Sequence, residues 1–182
     1  AAAIAVNRGL SLRSESHVAH YTDSAIAVGS DFHAQILSAA AKPTNQKVKT
    51  VSVIAASFTG QQRVTPHMKL HDVVYIEWHR RLLKGIRELG YSAISKRHPK
   101  GMMSGQAIFG DIADEELLKT PMNEIEQRTD AYVIDFPASA FMESICTLKP
   151  VVLIDLPIRR MRPEARALLS KSVAIVSASF DE

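Results

Sequence analysis

From residue 48 onward the chain alternates short, β-branched apolar runs with loops and with stretches of helical periodicity. That alternation predicts a parallel sheet whose strands are joined by crossover helices. Residues 48–56 (VKTVSVIAA) read as the first buried strand, and Ser57-Phe58-Thr59-Gly60-Gln61-Gln62 as the loop leaving its carboxyl end. A long helix follows, with Tyr75, Trp78, Leu82, Ile86 and Leu89 at three- and four-residue steps and Gly90 as its left-handed stop. Arg80, Arg81, Lys84 and Arg87 occupy its other face.

Residues 91–96 (YSAISK) form the second predicted strand, which must end near His98 because the residue before Pro99 is pushed to an extended conformation. The stretch 101–110 is a loop, and 114–128 is weakly helical, split by Pro121. Residues 131–135 (AYVID) are a third strand, 139–148 a helix and 150–155 (PVVLID) a fourth strand. A helix over 163–171, with Pro at its start, leads to a fifth strand over 172–176. Ahead of these, 25–29 is a short strand candidate, Ser30 caps a helix with Phe32, Ile36 and Leu37 on its apolar side, and 42–47 (KPTNQK) is a linker.

A chain of 182 residues with 46% hydrophobic and 23% charged residues is an ordinary packed globule, too apolar for disorder. Twenty-two Lys and Arg against nineteen Asp and Glu leave a formal charge of +3, which suits an anionic small ligand and is no nucleic-acid signature. The single cysteine, Cys146, forms no internal disulfide, which points to a reducing, cytoplasmic setting. No segment approaches the roughly 18 apolar residues that cross a bilayer. The missing initiator Met and the stop just after an apolar run predict a piece of something longer.

Several familiar sites are missing. The sequence has no GxGxxG, no GxxxxGK[ST], no GxSxG and no CxxC, so nicotinamide, P-loop and serine-hydrolase chemistry lack their usual marks. His67 and His71 stand four apart, as if on one helix face, but no acidic or Cys partner sits at ligand spacing; His17 and His20 are similarly alone, and no metal site is expected.

The informative constellation lies at the carboxyl ends of the predicted strands, where open parallel sheets place their ligands. Lys96-Arg97-His98-Pro99-Lys100 follows the second strand, and Asp135-Phe136-Pro137-Ala138-Ser139, with Glu143 one turn on, runs from the third strand into a helix. A Ser at a helix N-terminus adds a hydroxyl to free N–H groups at the positive end of the dipole, a place for a phosphate. Glu143 falls on the same face, where it can accept hydrogen bonds from a sugar's hydroxyls. Each part has a plainer reading as a solvated strand end, a simple cap or a surface charge. Their joint position matches a nucleotide sugar.

The order strand, loop, helix, Lys-Arg-His-Pro, helix, then DAYVIDFPASAFMESICTLKPVVLID resembles the C-terminal, donor-binding half of GT-B-fold glycosyltransferases, in particular bacterial capsule transferases and CDP-glycerol glycerophosphotransferases. The likeness covers about residues 48 to 176 and rests on Lys96, His98 and Pro99, on Asp135, Ser139 and Glu143, and on Lys149-Pro150. It departs at Phe136-Pro137-Ala138-Ser139, where many members carry two hydroxyl residues in tandem.

The resemblance implies an α/β, Rossmann-like parallel sheet with helices on both faces. Residues 1–45 would be the tail of a preceding domain and its crossover helix, and 46–182 the nucleotide-sugar-binding domain, truncated at both ends. The partner would be a nucleotide-sugar or CDP-glycerol-type donor used in surface polysaccharide synthesis, with no metal and no cofactor. Lys96 and His98 would neutralise the donor diphosphate, and Ser139 would hold its oxygens. Glu143 and Asp135 would take ribose or sugar hydroxyls, with Ser57, Thr59 and Gly60 in a loop close to the donor. The acceptor site and general base would lie in a missing N-terminal domain, leaving the catalytic residues unassigned and the chain alone inactive. Arg159, Arg160 and Arg162 sit in a short, Pro-bracketed loop that is either solvated or presents charge to a donor, to an anionic acceptor or, in peripheral contact, to the inner membrane face. Two other readings fit the same residues: a nucleotide-sugar epimerase of related fold, and a non-catalytic α/β binding module that docks an acidic partner through Arg159, Arg160, Arg162 and Arg166.

Overall fold

The computed structural model describes residues 3–5, 25–27, 47–58, 71–100, 103, 105–156 and 161–179. Its main body is a six-stranded, all-parallel sheet built from β3 (Thr50–Ile54), β4 (Ser92–Lys96), β5 (Glu115–Leu117), β6 (Ala131–Ile134), β7 (Val151–Asp155) and β8 (Ala174–Ser177), in the order β5-β4-β3-β6-β7-β8. Two three-residue strands, β1 (Ala3–Ala5) and β2 (Ala25–Ala27), pair with each other in parallel. The helices are α1 (Asp72–Glu88), α2 (Met122–Glu126), α3 (Ser139–Cys146) and α4 (Pro163–Leu169). This is the Rossmann-like α/β architecture that the alternating pattern predicts.

Register decides which face each side chain meets. Val51 pairs with Ala93 on one side and Ala131 on the other, and all three join Tyr75, Trp78, Leu83 and Ile86 of α1 in one core. Three residues along, Ile54 pairs with Ile134, which pairs with Leu153; these lie in the second core with Ile125 of α2 and Phe141 of α3. Both faces are therefore covered, which explains why β3, β4, β6 and β7 are rich in apolar residues, with Ser52, Ser95 and Lys96 as buried polar exceptions. Two polar pins set the start of β3. Asp130 accepts from the backbone N–H groups of Lys49 and Thr50 at 2.9 Å each, and the hydroxyls of Ser52 and Thr129 meet at 2.6 Å within the sheet.

In α1, Asp72 in the first turn and Arg87 in the last complement the helix dipole, and Gly90 takes the left-handed backbone (φ 86°) that ends it. The buried stripe is Tyr75, Trp78, His79, Leu83 and Ile86, whereas Leu89, expected on that stripe, is 75% exposed because the helix stops at Glu88. Leu82 packs against the core from its margin.

Three further boundaries differ from expectation. The weakly helical stretch over 114–128 is instead an edge strand, β5, followed by the five-residue α2 after Pro121. Pairing with β4 from Ile94 to Lys96 supplies β5 with its hydrogen bonds, so residues with no strand pattern of their own are drawn into the sheet. Helix α3 stops at Cys146, with Leu148 in a left-handed conformation (φ 60°). The last strand starts at Ala174, two residues later than its apolar pattern suggests. The expected helix after Ser30 and residues 42–46 of the linker lie outside the described residues.

Candidate functional site

The strand order reverses direction at β3: the chain steps outward through β4 to β5, then returns to the other side of β3 with β6. In open parallel sheets the crevice at such a switch point, beyond the carboxyl ends of the strands, receives the ligand. Here it is bounded by 55–58 after β3 and by 135–139 between β6 and α3.

On the α1 side of this crevice lies a buried polar network. Tyr75 and His79 stand one helical turn apart, and both reach Asp135, the residue just after β6. The Tyr75 hydroxyl donates to Asp135 Oδ2 and accepts from the backbone N–H of Ala56 at 2.9 Å. His79 donates through Nε2 to the same carboxylate oxygen at 2.9 Å, with both side chains 1% exposed. Phe58 packs against Tyr75 with ring centroids 5.3 Å apart, and against Phe109 at 6.2 Å. Burial, followed by the Asp135 carboxylate, pushes the Tyr75 hydroxyl well above the ordinary phenol range. Asp135 is therefore committed to the protein interior. Its second oxygen, Oδ1, is also shielded from solvent and has no hydrogen-bond partner among the described residues.

Arg97 belongs to the same face. Its guanidinium pairs with Glu116 at 3.0 Å, donates to the carbonyls of Met103 and Gln106 at 3.0 Å each, and lies over the Phe58 ring at 4.6 Å. Glu116 in turn accepts from the N–H groups of Ile108 and Phe109. The pair therefore shapes the loop after β4, and Arg97, which read as one of four cationic or protonatable side chains at a strand end, is a structural clamp.

On the α3 side the arrangement is different. Lys96 is 5% exposed at the end of β4, and its Nζ donates to the Arg97 carbonyl at 2.6 Å. Burial lowers its pKa, against the opposing pull of Glu143. Glu143, half-buried on α3, is raised by burial, and the Lys96 charge opposes that shift. Cys146, one turn further along α3, is raised by burial and then by Glu143. Lys96 and Glu143 thus act on each other, yet no ion pair within 4 Å joins them. Ser139 is exposed and is the first residue of α3; Ala138 occupies the cap position, and no side chain caps the helix. Among the described residues, the first-turn N–H groups of α3, at the end of β6, therefore have no capping side chain.

The sequence-predicted residues divide accordingly. Lys96, Glu143 and Ser139 gather around α3. His98 is exposed and turned onto its own loop, where Nδ1 meets the N–H of Lys100 at 3.1 Å. Ser57 is half-buried beside the switch point, while Thr59, Gly60, His17, His20 and His67 lie outside the described residues. Among the described residues there is no group of three or more His, Cys, Asp or Glu side chains placed to hold a metal ion, and no helix is long and apolar enough to cross a membrane. Arg166 is engaged with Asp155 and Ser177, and Arg159 and Arg160 fall outside the described residues. Sequence reasoning passed over Tyr75 and His79 as a polar pair. The signal available was their spacing of four on the inner face of α1.

No protein-family model and no curated protein matches the chain. Among solved structures, AnUbiX (PadA1) in complex with FMN and dimethylallyl pyrophosphate matches with a TM-score of 0.39 and 9% identity, over 70% of this chain and 77% of that one. The glycosyltransferase resemblance is corrected on these findings: the matched structure is not of that family, and its ligands are not a nucleotide sugar or a CDP-glycerol donor. The role in polysaccharide synthesis, the activated-sugar donor as partner, and the epimerase and acidic-partner alternatives fall with it. So does the expectation of no cofactor, since FMN is bound in the matched structure.

Proposed function

We propose that this chain is an enzyme domain that binds a small anionic ligand, carrying phosphate or carboxylate, across the carboxyl edge of the sheet where β3 meets β6. The first turn of α3 and the Ser139 hydroxyl hold the anion, and Lys96 and Glu143 flank the part of the ligand that reacts. One observation carries this reading: the strand order reverses at β3, and α3 begins there, at the end of β6, with no side-chain cap on its N-terminus. An uncapped helix start at a switch point combines oriented N–H donors with the positive end of the dipole. Lys96 and Glu143 add an amine and a carboxyl whose pKa values burial moves toward one another, the arrangement that acid–base chemistry uses.

The test is calorimetric titration of the whole chain with inorganic pyrophosphate, acetate and FMN in turn. Ser139→Pro removes the hydroxyl and one N–H at a helical position that accommodates proline. The expected result is saturable binding of at least one of these anions, weakened about tenfold in Ser139→Pro, the scale of one charge-assisted hydrogen bond. Absence of binding by all three, or equal affinity in the variant, contradicts the reading.

A further inference from the structure

Lys96 is an unusual buried lysine. A protonated ammonium has three donors to satisfy, and burying it with donors unmet is costly. Lys149 illustrates a structural solution, with its Nζ donating to the carbonyls of both Glu126 and Thr129. Lys96, more deeply buried, reaches one carbonyl among the described residues, that of the next residue, and no carboxylate of the described residues lies within ion-pair distance. A neutral amine fits such a place better than an ammonium, because its nitrogen needs fewer partners and keeps a lone pair. The ionisable groups around it are few: Glu143 and Cys146 lie along α3, and the adjacent Arg97 guanidinium is held by Glu116. Registered with Lys96 on the same sheet face are Ile54 and Leu117, both apolar.

From this juxtaposition we infer that Lys96 condenses with a carbonyl ligand, an aldehyde or ketone, to form an imine at the carboxyl edge of the sheet, with Glu143 carrying the protons. The step is balanced without any oxidant or reductant. The Lys96 nitrogen lone pair forms a bond to the carbonyl carbon, and the carbonyl oxygen takes a proton from the Glu143 carboxyl. Glu143 then recovers a proton from the nitrogen and delivers it to the hydroxyl, which leaves as water while the C=N bond forms. Burial disfavours the charged form of both groups, lowering the pKa of Lys96 and raising that of Glu143, so each shift runs in the direction this step uses. The inference rests on the proposed function for where the ligand lies, and it supplies what that reading leaves open, the reacting group of the ligand.

Reductive trapping separates the two. The whole chain is treated at neutral pH with propanal and cyanoborohydride, and alkylation is mapped by peptide mass spectrometry. Propanal carries no anion, so the outcome does not depend on the α3 anion site. Lys96 should be modified about tenfold faster than the exposed Lys84, and Glu143→Gln should slow Lys96 about tenfold while leaving Lys84 unchanged, with partial recovery in Glu143→Asp. Modification of Lys96 no faster than Lys84, or a rate indifferent to Glu143→Gln in a folded variant, overturns the inference. Selective trapping alongside failed anion titrations would leave the imine chemistry standing and remove only the anion site.

Discussion

His79 Nε2 lies 2.9 Å from Asp135 Oδ2, and this contact ties the middle of α1 to the residue that leaves the central strand β6. Tyr75 meets the same oxygen, so a single carboxylate organises both margins of the switch-point crevice: Ala56 through the Tyr75 hydroxyl, and the approach to α3 through its own backbone.

Removing either donor should therefore destabilise the fold. Tyr75→Phe leaves the Ala56 N–H without its acceptor and Asp135 with one donor, and His79→Leu takes away the other. Each should cost about 1.5–3 kcal/mol, the scale of a hydrogen bond to a charged group, as read by urea unfolding. A loss under about 0.5 kcal/mol in both would show that the carboxylate is satisfied some other way.

The Arg97–Glu116 pair, 1% and 3% exposed, should behave as a buried unit. Glu116→Ala strands the guanidinium and should cost about 3–5 kcal/mol, whereas replacing both partners with leucine should cost less than the sum of the single changes. Additive losses in a double-mutant cycle would show that the two residues do not depend on each other.

Lys96 leads to the opposite sign. Because its pKa is lowered in the fold, the unfolded chain binds more protons between that lowered value and the ordinary lysine value near ~10.4, and stability rises with pH across that window. Lys96→Met should thus raise stability at neutral pH by about 0.5–2 kcal/mol, with the advantage shrinking as pH approaches the ordinary lysine value. Melting curves from neutral to alkaline pH check this, and a destabilised Lys96→Met protein would mean that Lys96 is structural.

The sheet and the succession of elements were readable because β3, β4, β6 and β7 are buried on both faces, which concentrates apolar residues in them. Strand β5 was not readable. Its Glu115 pairs with Arg128 and its Glu116 with Arg97, so an edge strand of three residues presents charge where a pattern would be sought. The site was legible in part. Lys96, Ser139 and Glu143 were marked by their positions at strand and helix ends, but burial decided their character, and composition does not report burial. Asp135 lies 56 residues from His79 and 60 from Tyr75, so the spacing of the helix pair could not reveal its carboxylate partner.

Acid sensitivity should trace in part to Asp130. Hydrogen bonds from the Thr50 and Lys49 N–H groups hold its carboxyl below the usual aspartate range. The stabilisation is present above the unfolded value near ~3.9 and is lost as pH falls through the lower folded value. Asp130→Asn should flatten the fall in melting temperature over that acid range, and an unchanged acid slope would exclude the contribution.

The location of the ligand is tested most directly by backbone amide chemical shifts during titration with inorganic pyrophosphate. The amides of Ser139, Ala140 and Phe141, with those of residues 55–58, should move together and saturate at one affinity, while β8 and α4 stay still. Saturable shifts that avoid α3, or the absence of any saturable shift in a folded chain, would contradict a site where β3 meets β6.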